Sequence, residues 1–136
     1  MGGFESREHS IIADLALLKE ARDFAELAAE DFGFDSSGTY QLKLAMSEAV
    51  TNAIQHGSTS EEDPIELRVV VEDEALAFYV KDTGSFETAA PEVDNESLAE
   101  GGRGLQFMRR LMDDVDIRPG EDGTLLRFAK RAASGG

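Results

Sequence analysis

Ile65-Glu66-Leu67-Arg68-Val69-Val70-Val71-Glu72-Asp73-Glu74-Ala75-Leu76-Ala77-Phe78-Tyr79-Val80-Lys81 is the stretch that decides the fold. Ile65, Leu67, Val69 and Val71 alternate with Glu66, Arg68, Val70 and Glu72, the period-two signature of a half-buried strand. Leu76, Phe78 and Val80 alternate in the same way with Ala77, Tyr79 and Lys81. The polar run Glu72-Asp73-Glu74 between them is a tight turn, so the two runs form a hairpin. Hairpins build antiparallel sheets, and such a sheet needs helices on one face only.

Upstream the period is helical. From Ala13 to Asp31, Leu17, Ala21, Phe24 and Ala28 recur at three- and four-residue steps, with Leu18 and Leu27 widening the stripe. Gly33 is placed to stop this helix. Ser36 or Ser37 opens a second helix to about His56, with Leu42, Met46, Ala49, Val50 and Ala53 on its inner side, and Gly57-Ser58-Thr59-Ser60 ends it. Phe4 to Ile12 reads as a short edge strand. Downstream, Thr83 to Gly102 has no period and is longer than the ~12–15 residues of an ordinary loop. A third helix runs from Arg103 to about Asp113, and a second hairpin joins Val115–Arg118 to Thr124–Arg131 around Pro119-Gly120-Glu121-Asp122-Gly123. The expected architecture is a two-layer α/β sandwich with a mainly antiparallel mixed sheet. Residues 1–131 form its single domain and 132–136 a flexible tail.

The 136 residues hold 28 acidic and 13 basic side chains, a formal charge of −15, and no cysteine. Thiol chemistry, disulfides and cysteine-ligated zinc are excluded. A field of that sign repels phosphate backbones and anionic lipid, so neither nucleic acid nor membrane is an expected direct partner. A protein with a basic patch fits this charge, although acidity also serves solubility alone. Met1 to Ser10 is charged rather than apolar, and no apolar run approaches the ~20 residues of a membrane span. The expected location is cytoplasmic.

Four short elements carry candidate chemistry. On the second helix, Glu48 and Asn52 lie about 40° apart, with His56 about 40° further round and Met46 and Val50 pointing nearly opposite. Carboxylate and amide oxygens one turn apart suit Mg²⁺ or a general base, and on periodicity alone they equally suit a solvated helix face. Asp82-Thr83-Gly84 stands where a strand ends. The aspartate can accept from an exocyclic amine such as that of adenine, while the glycine admits a flat ring; ordinary turn chemistry gives the same pattern. Gly101-Gly102-Arg103-Gly104-Leu105 opens a helix, either as an anion site of freed backbone amides or as a hinge. Gly123-Thr124 enters the last strand and by itself is only a turn.

In order and spacing these elements resemble the GHKL ATP-binding superfamily over about Ala13 to Lys130. That group includes gyrase-type topoisomerases, sensor histidine kinases and anti-sigma factor serine kinases. The chain is most similar to the last, through its size, its first helix directly before the Glu-Asn helix, and Gly101–Leu105 running into Met108-Arg109-Arg110-Leu111-Met112-Asp113. The resemblance implies a Bergerat-type fold binding ATP and Mg²⁺. Asn52 would coordinate the metal and Glu48 would act as general base. Asp82 would read adenine with Thr124 beside it, and Gly102, Arg103 and Gly104 would hold the phosphates. His56, Gly84 and Leu105 complete the implied nucleotide site. It further implies a homodimer that binds a sigma factor and phosphorylates a STAS-type anti-anti-sigma protein. One position departs from the pattern: Phe86 stands where the family usually has a second glycine or a proline. That departure bears on nucleotide affinity and keeps open a non-catalytic, ATP-binding regulatory switch.

Overall fold

The computed structural model describes residues 6–57, 63–82, 103–120 and 123–132. Strand β1 (Ser6–Ile12) leads through a 3-10 turn (Leu15–Leu17) into helices α1 (Leu18–Phe32) and α2 (Ser36–Asn52). A π turn (Ala53–Gly57) extends α2. Hairpin β2 (Pro64–Glu72) and β3 (Ala75–Asp82) follows, then helix α3 (Arg103–Leu111) and hairpin β4 (Asp114–Gly120) and β5 (Gly123–Arg131). The five strands form one sheet in the order β1-β2-β3-β5-β4.

Every ladder among the described residues is antiparallel, where a mainly antiparallel mixed sheet was expected. β3 and β4 are both antiparallel to β5 and therefore run the same way, but β5 lies between them and takes up both of their facing edges. This insertion brings the end of β3 against the start of β5, which builds the site described below.

Local chemistry accounts for the helix ends. Gly33 has φ 111°, the left-handed conformation that glycine adopts without a Cβ penalty, and its N–H donates to Ala29 and Glu30 carbonyls. α2 is capped by Asp35, whose Oδ1 accepts from Gly38 N at 2.8 Å, rather than by Ser36 or Ser37. α1 begins later than its periodicity suggests, because Asp14 accepts from Ala16 N and starts a 3-10 turn instead. The two-residue turn of the first hairpin, Asp73-Glu74, has φ values of 51° and 67°, the paired left-handed geometry whose twist matches the flanking strands.

The three helices of the described residues lie on one face of the sheet. Ile65, Leu67 and Val69 of β2 join Leu76, Phe78 and Val80 of β3 and Leu126 and Phe128 of β5 in one core with Leu42, Met46 and Val50 of α2. Phe78 and Phe128 stack at 5.1 Å, and Phe24 of α1 meets Phe78 edge-on. The inner stripe of α1 is Ala21, Ala25, Ala28 and Ala29. Leu27, expected to widen that stripe, is 58 % exposed. Small residues there bring α1 close to α2, and Leu27 lies beyond the edge of that contact. Ala132, expected to begin the tail, packs at the margin of the core.

The opposite face of the sheet carries no helix among the described residues and is differently made. Ala75, Ala77 and Ala129 floor a small apolar cluster beside Val70 and Tyr79. Arg127 donates to Glu72 at 2.8 Å, Asp114 at 2.6 Å and the Tyr79 hydroxyl at 3.3 Å, while that hydroxyl donates to Glu72 at 2.6 Å. The Tyr79 and Arg127 hydrogen bonds hold the Glu72 carboxyl below its usual range. Burial, followed by the bond to Glu72, pushes the Tyr79 phenol up, and the bond to Glu72 pushes Arg127 up.

Candidate functional site

The site lies where the C-terminal end of α2 meets the ends of β3 and β5. Asp82 is the last residue of β3 and only 2 % exposed. A carboxyl this deep needs hydrogen-bond partners to be tolerated. One comes from across the sheet: Thr124 N donates to Asp82 Oδ1 at 3.1 Å. Gly123 makes that contact possible. It has φ 120°, and a Cβ built there would stand 2.0 Å from the Asp82 carbonyl oxygen. Glycine is therefore required at this position on both conformational and steric grounds.

Thr124 is 7 % exposed, and its Oγ1 has no hydrogen-bond partner among the described residues. A buried hydroxyl left unpaired costs about 1–3 kcal/mol, so native structures normally satisfy such groups with protein, water or ligand. Next to the Asp82 carboxylate, this hydroxyl is a polar atom with unused bonding capacity.

On α2, Glu48 and Asn52 are half-buried, while neighbouring Ala49 and Val50 are 1 % and 0 % exposed. The core thus fixes the face that Glu48 and Asn52 present. Arg22 of α1 donates to Ser47 at 3.4 Å and ties the helices together beside Glu48. Past Asn52 the winding changes to the π form, which packs on β3 and β5. His56 lies in this turn, so the 100° step used to place it on the Glu48–Asn52 face does not apply. Single π turns are frequent at functional sites, and nothing in the periodicity signals this one.

Arg103 and Gly104 open α3, as the glycine-rich run suggests. Leu105 is 2 % exposed within the hydrophobic core, where it seats the start of α3 on the rest of the fold. Gly84 and Gly102 lie outside the described residues, as do Phe86 and the rest of the expected long loop. Gly123 is a shaping residue that single-sequence reasoning treats as a turn. The available signal is a glycine opening a strand directly before a threonine.

The chain was compared with known proteins on this basis. The profile of the histidine kinase-like ATPase domain matches residues 11–130. The chain belongs to the histidine kinase-like ATPase family. Within it, the chain is similar to the serine-protein kinase RsbW of Oceanobacillus iheyensis, with 30 % identity covering 98 % of this chain and 90 % of that protein. RsbW of Bacillus pumilus is 37 % identical over 105 residues, covering 66 % of this chain and 64 % of that protein. The matches to RsbW of Bacillus pumilus and to the Bacillus licheniformis and Listeria monocytogenes proteins of that name span a little under two thirds of those relatives' length. Among solved structures, the RsbU and RsbW domains of a Mycobacterium tuberculosis protein superpose with a TM-score of 0.72 at 20 % identity, covering 94 % of this chain and 32 % of that one. The histidine kinase domain of an Erythrobacter litoralis blue-light activated kinase gives 0.59 at 21 % identity, covering 90 % and 62 %. At these identities the two structures share the fold.

ATP is the ligand implied by this ATPase family, and the residues present fit it. Asp82 and the Thr124 hydroxyl, which has no partner among the described residues, would offer an acceptor and a polar contact to an adenine edge. Gly123 keeps this corner free of a side chain.

Proposed function

We propose that this chain is a Mg-ATP-dependent serine/threonine protein kinase acting as an anti-sigma factor. In this reading it phosphorylates a STAS-type anti-anti-sigma partner, binds a sigma factor and works as a homodimer. The observation that carries the nucleotide part is the buried Asp82 carboxylate with the orphaned Thr124 hydroxyl beside it. The kinase and partner assignments rest on similarity to proteins named serine-protein kinase RsbW.

Asp82 accepts the adenine amine, and Thr124 completes recognition of the base. Asn52 offers its amide oxygen to Mg²⁺. The Mg-ATP complex supplies the phosphoryl group and offsets charge that an acidic protein would otherwise repel. Gly102, Arg103 and Gly104 hold the phosphates through backbone amides and one guanidinium. Glu48 takes the proton of the serine or threonine hydroxyl presented by the partner.

Two measurements test this reading. Mg-ATP at about 100 times its dissociation constant should stabilise the wild type by about 2.7 kcal/mol, seen as a rise in Tm that Asn52→Ala abolishes. Glu48→Ala should lower phosphate transfer to the serine-bearing partner by roughly 10²–10⁴-fold while keeping the Mg-ATP-dependent Tm rise. A Tm rise with no transfer in the wild type would favour the regulatory switch, the reading that Phe86 supports. No rise at all would remove the nucleotide site.

A further inference from the structure

Among the helices of the described residues, α3 alone carries a net positive charge. Its nine residues include three arginines and no carboxylate, in a chain with 28 acidic and 13 basic side chains. Leu105 and Met108 enter the core, which fixes the side of the helix that faces outward. At 100° per residue, Gln106, Arg110 and Phe107 fall within about 100° of one another on that outer side. Gln106 and Arg110 are exposed, and Phe107 keeps 40 % of its surface in solvent.

The charge of this face is not neutralised locally. Arg109 donates to the Val115 carbonyl at 3.5 Å and serves the negative C-terminal pole of α3. Neither Arg109 nor Arg110 has a carboxylate partner among the described residues. The carboxylates that follow the helix are taken: Asp113 accepts from Arg131 N at 2.7 Å, and Asp114 from Arg127 at 2.6 Å. Strand β5 is equally basic, but there Arg127 is bound to Glu72 and Asp114, and Lys130 donates to the Leu111 carbonyl. Arg110 is different, a cation left available beside an exposed aromatic ring.

We propose that the outer face of α3 docks an acidic segment of a partner protein, with a carboxylate on Arg110 and an apolar side chain on Phe107. The arginine fork bonds a carboxylate through two parallel N–H groups. The Phe107 ring beside it is the apolar anchor, and aromatic residues with arginine are the types enriched at protein interfaces. The net charge of −15 repels an acidic segment from the rest of the surface, so the basic island on α3 fixes where and in which orientation it lands. A phosphate polyanion meets the same repulsion and leaves the Phe107 ring unused. The surface is independent of the nucleotide reading, since Arg110 stands about 10 Å along the helix from Arg103 at 1.5 Å per residue.

The test is an NMR titration of the full chain with a blocked peptide of three Glu-Glu-Leu-Leu repeats. Two control peptides carry Gln for every Glu or Ser for every Leu. The acidic peptide should give saturable shifts centred on Gln106, Phe107 and Arg110, and salt should weaken it at least about fivefold between about 0.05 and about 0.3 M. Each control should bind at least about fivefold more weakly. Arg110→Gln should weaken the acidic peptide about threefold, the worth of an exposed ion pair, and Phe107→Ser about fivefold. Arg110→Gln removes an exposed side chain and should leave Tm and its Mg-ATP-dependent rise unchanged. No saturable shift, shifts centred elsewhere, an equal response to the Gln peptide, or unchanged affinity in either variant would overturn the proposal. So would equal affinity for a single-stranded oligonucleotide, which would make the face a polyanion site. Concentration-dependent shifts at Phe107 without peptide would also overturn it, because a second copy of this chain would then be the occupant.

Discussion

Thr39, in the first turns of α2, and Thr124, at the start of β5, present the same anomaly, and their surroundings give it different meanings. Both hydroxyls are buried and lack partners among the described residues. Around Thr124 the backbone is constrained: a left-handed glycine, a strand end and a carboxylate held by an N–H at 3.1 Å. Around Thr39 the backbone is ordinary helix, and the uncommon feature is charge, with Glu30 and Asp35 facing one engaged lysine. The first environment suits a flat, neutral edge read at fixed distance. The same unpartnered hydroxyl therefore has to be read through its neighbours.

The largest expected effect breaks the constrained end. Gly123→Ala forces a Cβ toward the Asp82 carbonyl at a positive φ and should destabilise the apo protein by about 2–4 kcal/mol in thermal or urea unfolding. A loss below about 0.5 kcal/mol would show that the β3–β5 corner yields easily, and the contrast in rigidity would fall. Next, Thr124→Val should remove about 1–2 kcal/mol of the Mg-ATP-dependent stabilisation. Thr39→Val should leave that stabilisation untouched, and an equal loss in both variants would mean that the effect is not specific to the β3–β5 corner.

A smaller effect sharpens the separation. The apo-state effects of the two threonine substitutions should add within about 0.5 kcal/mol in the double variant, as for sites with no shared partner. The smallest effect concerns a control, the polar network on the opposite face of the sheet, where every group is satisfied. Glu72 titrates below its ordinary value of 4.5 because Tyr79 and Arg127 bond its ionised form. Its contribution is present above that ordinary value and is lost as pH falls through the lower, folded-state value. Glu72→Gln should remove this part of the acid sensitivity, under about 1 kcal/mol for so exposed a pair. Neither threonine variant should change the pH profile, because a hydroxyl does not titrate there.

Much of the fold is legible in single stretches of chain. The switch from a 3.6 to a 2.0 period at Ile65, the stop at Gly33 and the turn at Asp73-Glu74 are local events, governed by backbone geometry over a few residues. The Glu48–Asn52 face is legible for the same reason, since Val50 and Met46 must point into the core. Three features are not. The π turn leaves no mark in the hydrophobic pattern, so a fixed 100° step does not carry past Asn52 to His56. Leu27 has the spacing of a core residue, but the alanines of α1 make the helix contact and leave it outside. Leu105 reads as part of a phosphate loop and is also a core residue.

By itself, then, the sequence determined the kinds of element, their order, the side of each that faces inward and the motif order by which the family is recognised. All of these follow from short-range periodicity and the conformational limits of individual residues. Only the tertiary structure decided that β5 enters between β3 and β4, because strand adjacency depends on contacts far apart in the chain. That pairing joins Thr124 to Asp82, 42 residues away. The packing of α1 on α2 likewise gathers Glu26, Glu30, Asp35 and Thr39 around one cavity. Each residue reads as ordinary on its own helix or turn, and a site or a cavity exists only where the long-range pairing brings them together.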